Sequence, residues 1–209
     1  MKQYSSLLVK VMLLTSTLFF SSCSSLLQPS LETSALKIRQ ANYSLDKTHA
    51  ALLFKINHMG YSKYIGRFTD FDASLDFDPE HIADSKLHAI IEMSSLDVNN
   101  QDFEKTLKAG GWLNVSKFPQ AIFTTQRVEP TSQNQAVVHG ELTFLGVTAP
   151  LKLKVALVGG APNPITGKYT VGFEASGQLL RSNHGLTRLL PLVGDEVELE
   201  IHVEFQKRA

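Results

Sequence analysis

From Asn42 onward, apolar and polar residues alternate at every second position over most of the chain. The clearest run is the last: Val197, Leu199, Ile201, Val203 and Phe205 interleave with Glu198, Glu200, His202 and Glu204. A period of two puts successive side chains on opposite faces of a strand, so one face is apolar and the other wet. Leu151, Leu153, Val155 and Leu157 alternate with Lys152 and Lys154 in the same way, and Val171, Phe173, Ala175 and Leu179 with Gly172, Glu174 and Gln178. Further strands are predicted over 51–58, 65–77, 87–93, 121–128 and 136–144. Turn formers such as Asn57-His58-Met59-Gly60 and Asp78-Pro79-Glu80 separate them. The pattern predicts about eight strands and a single short helix over 102–108, with Phe103 and Leu107 on one face and Gly110-Gly111 as its stop. That helix is a connection, not a second domain.

Eight antiparallel strands can close into a barrel, which removes exposed sheet edges. The expected fold is therefore all-β. A barrel of eight strands is wide enough to hold one small ligand, or to fill itself with side chains, and alternation does not decide between the two. Alternation does name the inward side chains: Leu52, Phe54, Ile56, Phe71, Leu75, Phe77, Leu87, Ile91, Met93, Phe123, Val138, Leu142, Leu153, Val155, Phe173, Leu199, Ile201 and Val203. If they line a hollow, they suit a ligand that is mostly hydrocarbon. If they meet, they make an ordinary core, and the barrel is an envelope scaffold or interaction module without a ligand.

The first residues carry a different signal. Lys2, an apolar run from Leu7 to Phe20, and the small residues Ser21-Ser22 before Cys23 have the layout of a secretory signal peptide. The run is shorter than the roughly 20 residues a membrane-spanning helix needs. Phe20-Ser21-Ser22-Cys23 resembles the bacterial lipobox, with Phe20 where Leu is usual. On that reading Cys23 is lipidated, and its acyl chains anchor the chain at about 0.8 kcal/mol per buried CH₂. An ordinary cleavage site leaving a free thiol is the alternative. Cys23 is the sole cysteine, so no intrachain disulfide forms. Ser24 follows it where an aspartate would resemble an inner-membrane retention signal, so outer-membrane delivery at the periplasmic face is favoured. The expected organisation is a signal peptide over 1–22, a lipidated tether over 23–40 and a barrel domain over 41–207.

Composition narrows the chemistry. The 209 residues are 43% hydrophobic and 19% charged, which fits one globular domain plus a targeting segment. Net charge is zero, and without Lys2 and Lys10 the chain holds 18 basic against 20 acidic residues. The scattered charges give no basic face for nucleic acid. The histidines are His49, His58, His81, His88, His139, His184 and His202; none are paired at metal-ligand spacing, so no zinc is expected. His88, His139 and His202 alternate with apolar neighbours and should face water. There is no Gly-x-Ser-x-Gly elbow, and lipidation would consume Cys23. Asp97 and Asp102 lie in a connection, and Asp46 with His49 can pair but lacks a nucleophile. The expectation is a protein without catalytic residues, metal or cofactor.

An ordered series of motifs resembles the YceI-like family. It opens with Tyr43-Ser44-Leu45-Asp46-Lys47-Thr48-His49, Phe54-Lys55-Ile56-Asn57-His58-Met59-Gly60 and Gly66-Arg67-Phe68 with Phe71. It continues through Phe118-Pro119-Gln120-Ala121-Ile122-Phe123-Thr124-Thr125 and Gly140-Glu141-Leu142-Thr143-Phe144-Leu145-Gly146-Val147-Thr148. Arg181-Ser182-Asn183-His184-Gly185-Leu186 and Val193-Gly194-Asp195-Glu196-Val197 close it. The resemblance implies an eight-stranded lipocalin-like barrel whose apolar cavity takes an isoprenoid chain, in a periplasmic protein. It also implies ligand-facing positions for His58 and His184. His184 stands where the family usually has Phe, so the ligand's path differs in shape or wetness there. Val98 stands for a usual Thr and Gln101 for a usual Arg, which weakens the case for a charged head group.

Overall fold

The computed structural model describes residues 28–208. The signal peptide and the lipidated Cys23 read from the sequence lie outside the described residues. Within them are ten strands: β1 (Ala41–His58), β2 (Ser62–Phe68), β3 (Phe71–Phe77), β4 (Lys86–Glu92), β5 (Leu96–Asp97), β6 (Gln120–Pro130), β7 (Gln135–Phe144), β8 (Val147–Pro162), β9 (Tyr169–Leu180) and β10 (Val193–Lys207). The one α-helix among the described residues, α1, is Gln101–Lys108. No described helix is long and apolar enough to cross a membrane.

Ten strands make eight walls, because two walls are each built from two collinear pieces. The first half of β1 pairs with β3, Ala41 opposite Phe77, and its second half with β2, Leu52 opposite Phe68. β4 pairs with β3, and the short β5 continues that wall beside β2. The remaining strands follow in antiparallel order, and β10 returns to β1 from Tyr43 opposite Lys207 to His58 opposite Val193. The sheet is closed, as eight alternating segments lead one to expect.

The 65–77 segment read as one strand is interrupted at Thr69-Asp70. Phe68 and Phe71 both line the interior although they are three residues apart, so two residues must lie outside between them. The interruption is held in place: Thr69 N–H donates to Ser95 O at 3.2 Å, and Asp70 O accepts from Glu92 N–H at 3.0 Å. β1 shifts register opposite this break, between Leu45 and Ala50. β7 and β8 join through Leu145-Gly146, with φ of 52° and 76°. Both are positive, the backbone of a type I′ turn whose twist matches the strands it joins.

One end of the barrel is crossed by the chain ahead of β1. Glu32 pairs with Gly160 in both directions at 3.0 and 2.9 Å, and Ala35 N–H donates to Gln133 O at 2.8 Å. Ile38, 2% exposed, packs with Tyr43, Tyr169, Val171 and Phe205. The sequence places this stretch in the tether, yet its last third is part of the barrel's base. Tyr43 donates its hydroxyl to Arg39 O at 2.5 Å, and burial pushes its pKa up.

The other end carries α1 and the loop from Arg181 to Leu192. α1 starts at Asn100, whose Oδ1 accepts from Phe103 N–H at 3.0 Å. Lys105 and Lys108 sit at its C-terminal end, where cations are favoured. Asn100→Ala should cost about 1 kcal/mol, read as a lower denaturation midpoint at unchanged m-value, because an N–H of the first turn loses its acceptor.

Candidate ligand-binding site

The barrel is hollow. A cavity of about 520 Å³ runs inside it, reaching from Met59, Leu189 and Leu192 beside α1 to Ala35, Ser132 and Asn134 at the base. All eighteen apolar residues named from alternation face it, and so does His58. Leu52, Phe54, Ile56, Leu199, Ile201 and Val203 are only half-buried although they point inward, since water-sized space reaches them from within. A filled barrel would bury them completely. The structure thus has a lumen where the alternative reading expected a filled barrel.

Glycines in the wall help keep that lumen clear. A Cβ on Gly66 would lie 2.3 Å from Phe54 Cζ, one on Gly140 2.4 Å from Phe123 Cζ, and one on Gly177 2.7 Å from Leu153 Cδ2. Each large side chain therefore lies over the bare backbone of a nearby residue instead of standing into the cavity. Phe54 also meets Phe68 at 5.8 Å between ring centroids.

His184 departs from its expected place. It is 4% exposed, its Nδ1 lies 3.0 Å from Val147 O, and its ring meets Phe144 edge-on at 5.4 Å. It fixes the 181–184 turn against β8 and does not line the cavity. Val98 does line it, whereas Gln101 is exposed on α1. Among the expected water-facing histidines, His88 and His202 are exposed. His139 lies on the outer face but is largely covered, with Nε2 3.0 Å from Glu129 Oε2.

Sequence reading missed two sets of lining residues. Tyr64, Phe68, Leu151 and Leu179 belong to the same period-two pattern and were within reach of it. Phe103, Leu107, Trp112, Leu186, Leu189 and Leu192 come from α1 and the loops at that end, where no strand period applies. Trp112 and Arg188 join these two loops, the guanidinium 5.1 Å from the ring centroid.

One charged side chain lines the cavity: Arg181, 2% exposed. Its Nε donates to Gly194 O at 2.8 Å, Nη1 to Leu186 O at 2.6 Å and Arg188 O at 2.9 Å, and Nη2 to Val193 O at 2.9 Å. Burial lowers its pKa from the free value, and the Asp195 carboxylate opposes that shift. Asp195 itself accepts from the Ser182 hydroxyl at 2.6 Å, which holds its carboxyl below the usual range. Arg181 therefore ties the end loop together from inside.

On the outer surface Asp46 and His49 do pair, His49 Nδ1 lying 3.0 Å from Asp46 Oδ2. With Glu204 they form the one cluster among the described residues whose metal-ligand atoms lie within 4.8 Å of one another. Asp46 is already engaged: Oδ1 accepts from Thr48 and Oδ2 from Gln206 at 2.6 Å. The Thr48 hydroxyl, followed by His49, holds its pKa down to about 2, and the hydrogen bond to Asp46 raises that of His49. Asp97 accepts from Arg67 at 2.8 Å, and Asp102 from Lys105 at 2.9 Å.

Fold and cavity define a class, the hollow eight-stranded antiparallel barrel of lipocalin-like type. Within it the chain belongs to the YceI-like family: the YceI-like domain model matches residues 43–205. A UPF0312 protein of Yersinia enterocolitica is 40% identical over 166 residues, covering 78% of this chain and 85% of the relative. Among solved structures, Burkholderia cenocepacia BcnA superposes with a TM-score of 0.69 at 21% identity, over 77% of this chain and 98% of that one. The Campylobacter jejuni YceI protein gives 0.64 at 28% identity, over 74% and 91%. A polyisoprenoid-binding domain from Saccharophagus degradans gives 0.61 at 12% identity, over 81% and 100%.

Proposed function

We propose that this protein binds, stores or carries an amphiphilic lipid of the isoprenoid quinone or polyprenyl type, its tail held in the barrel lumen and without chemical conversion. The observation that carries the reading is the cavity: about 520 Å³ of lumen walled almost entirely by hydrocarbon. That volume falls within the roughly 300–1,000 Å³ of small-molecule sites. Each Å² of tail taken from water contributes about 25 cal/mol before ordering costs, so affinity comes from length of contact and not from one dominant group. The shared fold with a polyisoprenoid-binding domain supports the same ligand class. Of the hydroxyl-bearing residues that line the lumen, Tyr64, Ser85, Thr125 and Ser132, none has its hydroxyl hydrogen-bonded to a histidine or carboxylate that could activate it, which supports binding over catalysis. The reading includes a lipidated Cys23 that anchors the protein to a membrane at the periplasmic face, the outer membrane being favoured.

Extraction of the purified full-length protein with organic solvent, followed by mass spectrometry, should release about one isoprenoid lipid per chain, in line with a lumen sized for one small ligand. A protein that emerges empty and takes up neither added ubiquinone nor a polyprenol overturns the proposal.

A further inference from the structure

The cavity wall carries few polar groups: His58, Tyr64 and Arg181 toward the α1 end, and a second, uncharged set at the base, where one group has unmet chemistry. Ser85 is 7% exposed and lines the cavity, and its Oγ is sealed from solvent without any hydrogen-bond partner. Its backbone N–H is already satisfied by Ile82 O at 3.1 Å, so the orphan is the hydroxyl alone. A buried hydroxyl left unpaired is destabilising, and such groups in folded proteins call for an explanation. The neighbouring polar lining at this end is uncharged: Thr125, Ser132, Asn134 and Gln135. Thr125 Oγ1 is turned to the Leu87 N–H at 3.2 Å. Arg181, the one charged lining residue, is at the opposite end with its donors given to four carbonyls.

We infer that Ser85 is the hydrogen-bonding subsite for an uncharged oxygen of the ligand's head, a hydroxyl or a quinone carbonyl, at the base of the cavity. This rests on the lipid-holding reading and adds the end at which the head sits and its charge. Serine has one side-chain torsion, so offering the hydroxyl to the cavity takes a single rotamer change. A phosphate head has no basic group to meet it here, and leaving it desolvated without a counter-charge is costly.

The test uses delipidated full-length protein with three probes of matched tail length: the isoprenoid alcohol hexaprenol, the hydrocarbon squalene and hexaprenyl phosphate. Wild-type protein should bind the alcohol about five- to tenfold more tightly than the hydrocarbon, the worth of one buried hydrogen bond. Ser85→Ala should lose that preference while its squalene affinity stays unchanged. The empty Ser85→Ala protein should melt at the wild-type temperature or higher, because an unsatisfied hydroxyl is removed. A preference that survives in Ser85→Ala, a lowered melting temperature of the empty variant, or tighter binding of the phosphate than of the alcohol overturns the inference and leaves the lipid-holding reading standing. Wild-type protein that binds none of the three overturns both.

Discussion

Gly66→Ala should leave a folded barrel that has lost most of its bound lipid. The added methyl would lie 2.3 Å from Phe54 Cζ, 2.7 Å from Cε1 and 2.9 Å from Val98 Cγ1. The backbone at Gly66 is ordinary strand, paired with Phe54, so alanine itself fits. What must yield is the ring. Its outer side is the barrel wall, so the displaced Phe54 turns into the lumen and occupies space the ligand needs. Overpacking of this kind costs about 1–3 kcal/mol, an amount a closed sheet with ten paired strands should survive. Lipid recovered per chain should fall at least about tenfold, since a blocked pocket forfeits contact area along the whole tail. The compensating variant Phe54→Leu/Gly66→Ala should regain most of it. Wild-type occupancy in Gly66→Ala would show that the ring does not set the bore.

Arg181→Ala should be the most destabilising single change in the barrel. It strips the donors from the Leu186, Arg188, Val193 and Gly194 carbonyls at once. Hydrogen bonds to a charged group are worth about 1.5–3 kcal/mol each, though bonds in one network do not add. A net loss of about 4 kcal/mol is expected, a fall of roughly 10 °C in melting temperature for a domain of this size. Arg181→Lys should recover less than half, because one ammonium cannot reach the carbonyls that a planar fork of donors serves. Scanning calorimetry on the three proteins decides it. A wild-type melting temperature for Arg181→Lys would mean that charge alone, and not the fork, is what the loop requires.

The barrel was legible because its strands repeat a period of two, and a closed sheet leaves that period little freedom: each of the eighteen apolar side chains that alternation turns inward, from Leu52 to Val203, does line the lumen. Legibility failed where the backbone leaves the period. The register shift at 45–50 breaks the alternation in β1, so the strand was read from residue 51 although it begins at Ala41. Thr69-Asp70 hid the break between β2 and β3 in the same manner. Leu189 and Trp112 line the cavity from loops, whose direction follows from Arg181 and from the Arg188–Trp112 contact and not from spacing. His184 fell to a different cause: a motif places a residue along the chain, but the Val147 carbonyl decides which way its ring turns. Whether the lumen was open could not be seen at all from alternation, since a methyl absent from Gly66 matters only once Phe54 is known to lie across it.

The strap of residues 31–38 gives the molecule a polarity. β1 rises from it for 18 residues before reaching Met59, which at about 3.3 Å per residue and the usual barrel tilt places the two ends roughly 45 Å apart. Under the proposed reading, an anchor at Cys23 would draw the strapped end toward itself and point Met59, Leu189 and Leu192 outward. A donor or acceptor of the proposed cargo arriving at that far end would then meet it without passing the attachment, like a cup fixed by its foot.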